Sequence, residues 1–259
     1  MKKIFFLSLT LLAALSVVSC KKDDHGSKSR IPIPEAVDIG LVVNGKTVKW
    51  ASFNLGASKE YEYGNYYAWG ETEPRRDKYD WDTYSLANGA EDKLIAYCPS
   101  NKTDYWDSDA KPDGPDGELT LIPSNDVAHA LLGGKWRMPT LDEVKALVAL
   151  KNDTANYQCD EWVQAKDGNG NEVKDSKGNV IRGVRITQKS TGNSIFFPAA
   201  GYCTGTEIGG SVAVFGLYWS SSVYPDSPDC AWALGFDSEG TDWTANSRFF
   251  GFTVRPVTE

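Results

Sequence analysis

The chain has 259 residues, with 35 Asp and Glu against 27 Lys and Arg and a formal net charge of −8. That balance excludes nucleic acid as a partner: away from the N-terminus the basic residues do not cluster beyond Arg75-Arg76, so a run of phosphates could not be neutralised. Only two histidines occur, His25 and His129, which leaves a histidine-based nucleophile or metal site little to build on.

Lys2 and Lys3 precede an apolar stretch, Ile4 to Val18, too short and wrongly flanked for a stable spanning helix but laid out as an export signal. Its end, Val17-Val18-Ser19-Cys20, resembles the bacterial lipobox, in which the cysteine is diacylated and becomes the new N-terminus. The expectation is a signal peptide over residues 1–19 and lipidation at Cys20, with two acyl chains anchoring at ~0.8 kcal/mol per buried methylene. Lys21 to Arg30 holds no apolar residue, so residues 20–35 are expected to be the lipidated cysteine and a disordered tether. Lys21-Lys22-Asp23-Asp24 resembles the surface-export tag of Bacteroidetes lipoproteins, which implies a lipid-anchored body on the outer membrane, exposed at the cell surface. The lipid is then the only membrane contact.

From residue 36 onward short apolar runs alternate with Gly, Asn and Asp, the pattern of many short strands and long loops. Val37–Val43 and Thr47–Phe53 flank Asn44-Gly45-Lys46, a hairpin signal. Pro123-Ser124-Asn125-Asp126 opens a helix with Ser124 or Asn125 as N-cap, and Gly133-Gly134 closes it. Thr140-Leu141-Asp142-Glu143 is a capping box, after which Leu141, Val144, Leu147 and Val148 share one helical face. Lys166 to Asn179, with Asp-Gly-Asn-Gly-Asn and then Asp-Ser-Lys-Gly-Asn, is a solvent-exposed hairpin excursion between strands, and Ile181–Thr187 and Ser194–Phe197 follow as strands. A few helices on irregular antiparallel sheets make an α+β domain over residues 36–259. Cys98, Cys159, Cys203 and Cys230 allow three full disulfide pairings that sequence cannot choose between; their wide spacing disfavours zinc and leans towards free or partly paired thiols.

Several blocks in order resemble the Fibrobacter succinogenes major paralogous domain: Lys49–Ala57 (KWASFNLGA), Tyr67–Pro74 (YAWGETEP), Gly133–Thr140 (GGKWRMPT), Asn193–Tyr202 (NSIFFPAAGY), Tyr218–Ser222 (YWSSS) and Gly251–Val257 (GFTVRPV). The family is similar to C-type-lectin-like and formylglycine-generating-enzyme folds. The resemblance implies a lectin-like domain with irregular antiparallel sheets, two main helices and long loops. The cysteine pair on which the formylglycine-generating enzyme relies has no counterpart in Gly240–Gly251, so that activity does not carry over. Arg137 and Arg255 read as structural, Arg137 needing a carboxylate or carbonyl partner.

No catalytic residue, cofactor or metal is assigned. Asp104, Asp107, Asp109, Asp113 and Asp116 sit among glycines and could offer oxygen ligands to calcium, but their spacing departs from an EF-hand, as does Asp167–Asn171. A pair of carboxylates could serve glycoside hydrolysis, yet among 35 acids any pair is uninformative. The expected function is non-catalytic binding of a glycan or protein through a C-terminal loop face; a carboxylate-dependent glycan hydrolase and a structural envelope component are the alternatives. The face is expected to comprise Tyr224, Asp226, Ser227, Asp229, Asp237, Ser238, Glu239, Thr241, Asp242, Thr244, Ser247, Phe249 and Phe250, on a framework of Tyr218, Trp219, Ala231, Trp232, Phe236 and Trp243. Neighbours on a strand point to opposite sides, so one of Phe249 and Phe250 is expected to face solvent as an anchor. The layout also looks like the targets of diversity-generating retroelements, in which scattered residues before a constant C-terminal motif are varied.

Overall fold

The computed structural model describes residues 31–107 and 118–259. The expected signal peptide, Cys20 and most of the tether, with Asp109, Asp113 and Asp116, lie outside the described residues. No helix among the described residues is long and apolar enough to cross a membrane.

The body is α+β, as its punctuation implied, and residues 31–259 form one compact unit. Pro34 is buried and Glu35 and Ser52 exchange bonds, with Ser52 N–H donating to the Glu35 carbonyl at 2.9 Å. Strand β1 (Ala36–Val43) and β2 (Lys46–Ala51) form the first hairpin. Its loop is two residues, shorter than expected: Lys46 pairs with Val43, and Asn44 and Gly45 both take positive φ, 50° and 77°. That left-handed pair matches the right-handed twist of the strands it joins.

Helix α1 (Val127–Leu132) corrects the cap assignment. Asp126, not Ser124 or Asn125, is the N-cap: one carboxylate oxygen accepts from Ala128 and His129 N–H, the other from Met138 N–H at 2.8 Å. Asn125 is occupied elsewhere, donating to the Gly70 carbonyl and accepting from the Tyr97 hydroxyl. Helix α2 (Leu141–Ala149) keeps its capping box: Thr140 N–H donates to Glu143, and Glu143 N–H donates to the Thr140 hydroxyl. Val144, Leu147 and Val148 are buried, as their spacing requires. Glu143 also holds Arg137 through two bonds of 2.7 and 2.6 Å, which gives Arg137 its carboxylate partner.

Strands β3 (Tyr157–Gln164), β4 (Arg182–Gln188) and β5 (Ser194–Pro198) make an antiparallel meander, and β6 (Tyr202–Thr204) pairs with β7 (Glu207–Gly210). Strands β8 (Gly216–Val223), β9 (Cys230–Phe236) and β10 (Thr241–Ser247) form a second meander with β9 in the middle. The last strand, β11 (Val257–Thr258), adds to β2, and Val257 also exchanges backbone bonds with Arg137. One core lies where α2 meets β1, β2, β4, β5 and one side of β8 and β9, around Trp50, Phe197, Tyr218 and Phe236. A second, around Trp69, Trp219 and Phe252, joins the other side of β8 and β9 to α1. The indoles lock segment 67–69 to β8: Trp69 Nε1 donates to the Ser220 carbonyl and Trp219 Nε1 to the Tyr67 carbonyl, each at 2.9 Å.

Between β3 and β4 the excursion is two tiny hairpins built alike. Asp167 Oδ1 accepts from Asn169 and Asn171 N–H while Oδ2 accepts from the Asn171 amide; Asp175, Lys177 and Asn179 repeat this geometry eight residues on. Bonds from the backbone and amide of Asn171 hold the Asp167 carboxyl below its ordinary range. At Asp175 burial pushes upward, but the bonds from Asn179 and Lys177 outweigh it and the net direction is also down. A depressed folded pKa means the carboxylate bonds contribute fully above the unfolded value and are lost as pH falls through the folded one. Amide-exchange protection of Asn171 and Asn179 is therefore expected to hold at about pH 5 and to vanish near pH 2, which NMR exchange measurements check.

Candidate functional site

Strands β9 and β10 pair without a bulge from Cys230↔Ser247 to Phe236↔Thr241. The expected recognition residues are thereby divided between two ends of one hairpin, about 20 Å apart at strand rise. Tyr224, Asp226, Ser227, Asp229, Ser247, Phe249 and Phe250 belong to the Cys230 end, and Asp237, Ser238, Glu239, Thr241 and Asp242 to the tip; Thr244 lies between, opposite Ala233. They form two patches rather than one.

The tip is polar and simple. Asp237 caps it by accepting from Glu239 N–H at 2.7 Å, and Asp242 accepts from Trp243 N–H at 2.8 Å. Ser238, Glu239 and Asp242 are exposed. Trp243, expected as framework, is 38% exposed, and its ring lies under the Lys145 ammonium of α2 at 5.6 Å. Its register partner Leu234 is buried in the core, but β10 is the edge of its sheet, so the larger ring reaches solvent.

The other end is denser. Asp229 is buried: its carboxylate accepts from the Ser227 hydroxyl at 2.7 Å and its carbonyl from Arg248 N–H, so it holds the loop and offers nothing outward. Ser227 also bonds the Tyr105 hydroxyl at 3.1 Å, and Lys102 donates to the Asp226 carbonyl, which ties loop 224–229 to segment 102–105. Tyr224 packs on Trp232 at 4.8 Å, and the Asp226 side chain is exposed.

Arg248 sets the course of the chain beyond β10. It is fully buried, with its guanidinium donating to the Ala96 and Tyr97 carbonyls and lying 4.7 Å over the Trp69 ring. Burial lowers its pKa, and its Nε has no partner. With Arg248 fixed inward, the chain turns, and Phe249 and Phe250 stand in that turn rather than on a strand. The alternation argument for one exposed ring therefore does not apply: both are half-buried. Phe249 meets Trp81 edge-on at 5.1 Å and Phe250 at 4.5 Å; Phe250 continues to Tyr202 at 5.9 Å and stacks on buried Phe252 at 6.0 Å. The result is a partly exposed ladder, Trp81–Phe249–Phe250–Tyr202, rooted in the second core.

Trp81 and Tyr202 were not assigned from sequence, because they are remote in the chain and no local pattern ties them to Phe249. The signal at Trp81 is an aromatic flanked by acids, Asp80-Trp81-Asp82, where Asp80 caps a short helical turn.

For chemistry by carboxylates, the raised acid is Asp126, pushed up by burial against the pull of its backbone bonds. Both its oxygens are engaged by N–H groups of α1 and Met138, so it serves as a cap. Among the described residues no three His, Cys, Asp or Glu side chains converge as metal ligands would. None of the four cysteines is in a disulfide. No family model, curated protein or solved structure matches the chain.

Arg248→Met leaves the Ala96 and Tyr97 carbonyls buried without a donor, so it is expected to cost about 3–5 kcal/mol in urea unfolding. Arg137, which is part-exposed and has its own carboxylate, should cost less when changed to Met.

Proposed function

We propose that the chain is a non-catalytic receptor of lectin-like architecture, carried by a lipid at Cys20 on the outer face of the outer membrane, and that it binds a glycan or protein ligand. The observation that carries this reading is the ladder Trp81–Phe249–Phe250–Tyr202. Large rings left half in solvent, on a turn pinned by a buried arginine, give rigid contact area at little ordering cost. Exposed Asp226 and the hydroxyls of Ser227 and Tyr105 border loop 224–229 nearby and add hydrogen-bonding partners.

Diversification by a retroelement is a narrower form of the same reading, and the side chains restrict it. Asp226, Ser238, Glu239 and Asp242 are exposed and free to vary in kind. Arg248 and Phe252 are buried in the core, and a Cβ on Gly251 would sit 2.6 Å from the Tyr79 ring. The tolerant positions are thus those outside the Arg248–Phe252 turn, apart from the two phenylalanines themselves.

Glycan and protein arrays probed with the purified chain test the reading. Phe249→Ala is expected to weaken the captured ligand at least tenfold, the scale of a central aromatic contact. Glu239→Ala at the hairpin tip should leave binding within about twofold. Full binding by Phe249→Ala, with its melting transition intact, would place the contact elsewhere.

A further inference from the structure

A cleft of about 430 Å³, whose lining shares no residue with the aromatic ladder, lies between the segment after β2, the double hairpin of residues 166–180 and the loop after β7. That volume suits a small ligand. Its lining includes Tyr61, Tyr63 and Tyr66 together with Ile208 and Val212. Ile208 is 42% exposed, an aliphatic side chain left at the rim. The loop after it is held in an uncommon shape, with Ser211 and Ala213 at φ of 56° and 60°. Such backbone persists only where its surroundings over-determine it. Here the anchors are Ala213 N–H on the Ala199 carbonyl and Gly201 N–H on the Phe215 carbonyl, at 2.8 and 2.7 Å.

The polar groups of the cleft are unevenly satisfied. Glu62 already accepts from Ser58 N–H, the Ser58 hydroxyl and Lys59 N–H, and Asp175 accepts from Lys177 N–H, Asn179 N–H and the Asn179 amide. The donors are the open ones. Burial, helped by the neighbouring Asp175 carboxylate, pushes the Tyr63 phenol up to about 12, and its buried hydroxyl closes no hydrogen bond of standard geometry among the described residues. Among the described residues Lys174 reaches Glu172 only at 3.9 Å, and the exposed Lys177 ammonium lies near the Asp175 charge without closing an ion pair. A protonated phenol and two ammonium groups beside tyrosine faces call for a ring-shaped ligand rich in oxygen acceptors, with a negative charge for the lysines.

We propose that this cleft is a second binding site, separate from the aromatic ladder, for a saccharide unit bearing a carboxylate, of the hexuronate class. The sugar's C–H face lies on the tyrosine side, the Tyr63 hydroxyl donates to a ring or hydroxyl oxygen, and the carboxylate meets Lys174 and Lys177.

The test is titration of the full chain with glucuronate, galacturonate and glucose, read by ligand-observed NMR and calorimetry. At least one uronate is expected to saturate at low millimolar concentration or better, at least fivefold below glucose, and more weakly in high salt. Ile208→Asp, at an exposed site where folding is not at stake, should weaken that binding at least tenfold, as should the paired change Lys174→Gln with Lys177→Gln. Phe249→Ala should leave it unchanged, which keeps this result distinct from any outcome at the ladder. No saturation by either uronate at about 10 mM would overturn the proposal, as would glucose binding equally well or uronate binding that survives Ile208→Asp.

Discussion

Two arginines near the end of the chain are fully buried with no carboxylate in ion-pair contact among the described residues, and the rest of the architecture is arranged around that demand. Arg255 donates to Asn54 Oδ1 at 2.7 Å and to the carbonyls of Ala51 and Phe196 at 3.0 and 2.7 Å, and lies over the Phe197 ring. Arg248 uses the carbonyls of Ala96 and Tyr97 and the face of Trp69. Burial lowers both, Arg255 to about 10, which still leaves it charged at neutral pH. A buried cation of this kind is tolerated only if its acceptors are already in position. Four distant stretches of chain must therefore converge on the C-terminal segment before it can settle. The bonds that Val257 exchanges with Arg137, and the Ala51 N–H bond to the Pro256 carbonyl, then close the first sheet.

The same demand explains why the two ends of the β9–β10 hairpin differ. The Cys230 end is fixed from within by Arg248, by the Asp229 carbonyl and by Phe252, so the Phe249-Phe250 turn has little freedom left. The tip is capped by Asp237, with Lys151 donating to the Thr241 carbonyl, and bears exposed polar side chains. A rigid aromatic end and a changeable polar end on one hairpin are a sensible division for a binding surface. Rings held in place lose little entropy on contact, whereas small polar residues can be exchanged without disturbing the core.

How far the sequence could be read depends on the range of the interactions. The α+β class, the Thr140–Glu143 capping box and the buried face of α2 were all visible, because each is set by residues within a turn or two of one another. The α1 cap was missed for a tertiary reason: three polar candidates stood in a row, and only contact with Met138 and Gly70 decides which one turns back to the helix. The double hairpin was recognised as an exposed excursion, but its two Asp-x-x-Gly-Asn turns are one device used twice, legible in the spacing of Asp167, Asn171, Asp175 and Asn179. Proximity in the chain groups the recognition residues, but a hairpin of two seven-residue strands is long enough to separate them. Trp81 and Tyr202 join Phe249 and Phe250 only through the fold, so no local pattern could have named them.

The cysteines bear on what holds the body together. Burial pushes the Cys203 thiol up to about 11 and the Cys230 thiol up to about 12, the latter with help from the neighbouring Asp229 charge. Little thiolate exists there at neutral pH, and thiolate is the form that exchanges disulfides. Cys203 instead packs among Tyr79, Tyr84 and Leu94, its sulfur accepting from Gly209 N–H at 3.1 Å. Cross-links are replaced by interlocked aromatic groups: Trp50 on Phe197, Trp69 on Tyr97, and Trp219 stacked 4.1 Å from Phe252. Each of these rings is buried, and the indoles that bond segment 67–69 to β8 do so through backbone carbonyls rather than side chains. Loops fixed through their backbones leave their outward side chains free of structural duty, and that freedom is what a surface needs in order to specialise in recognition.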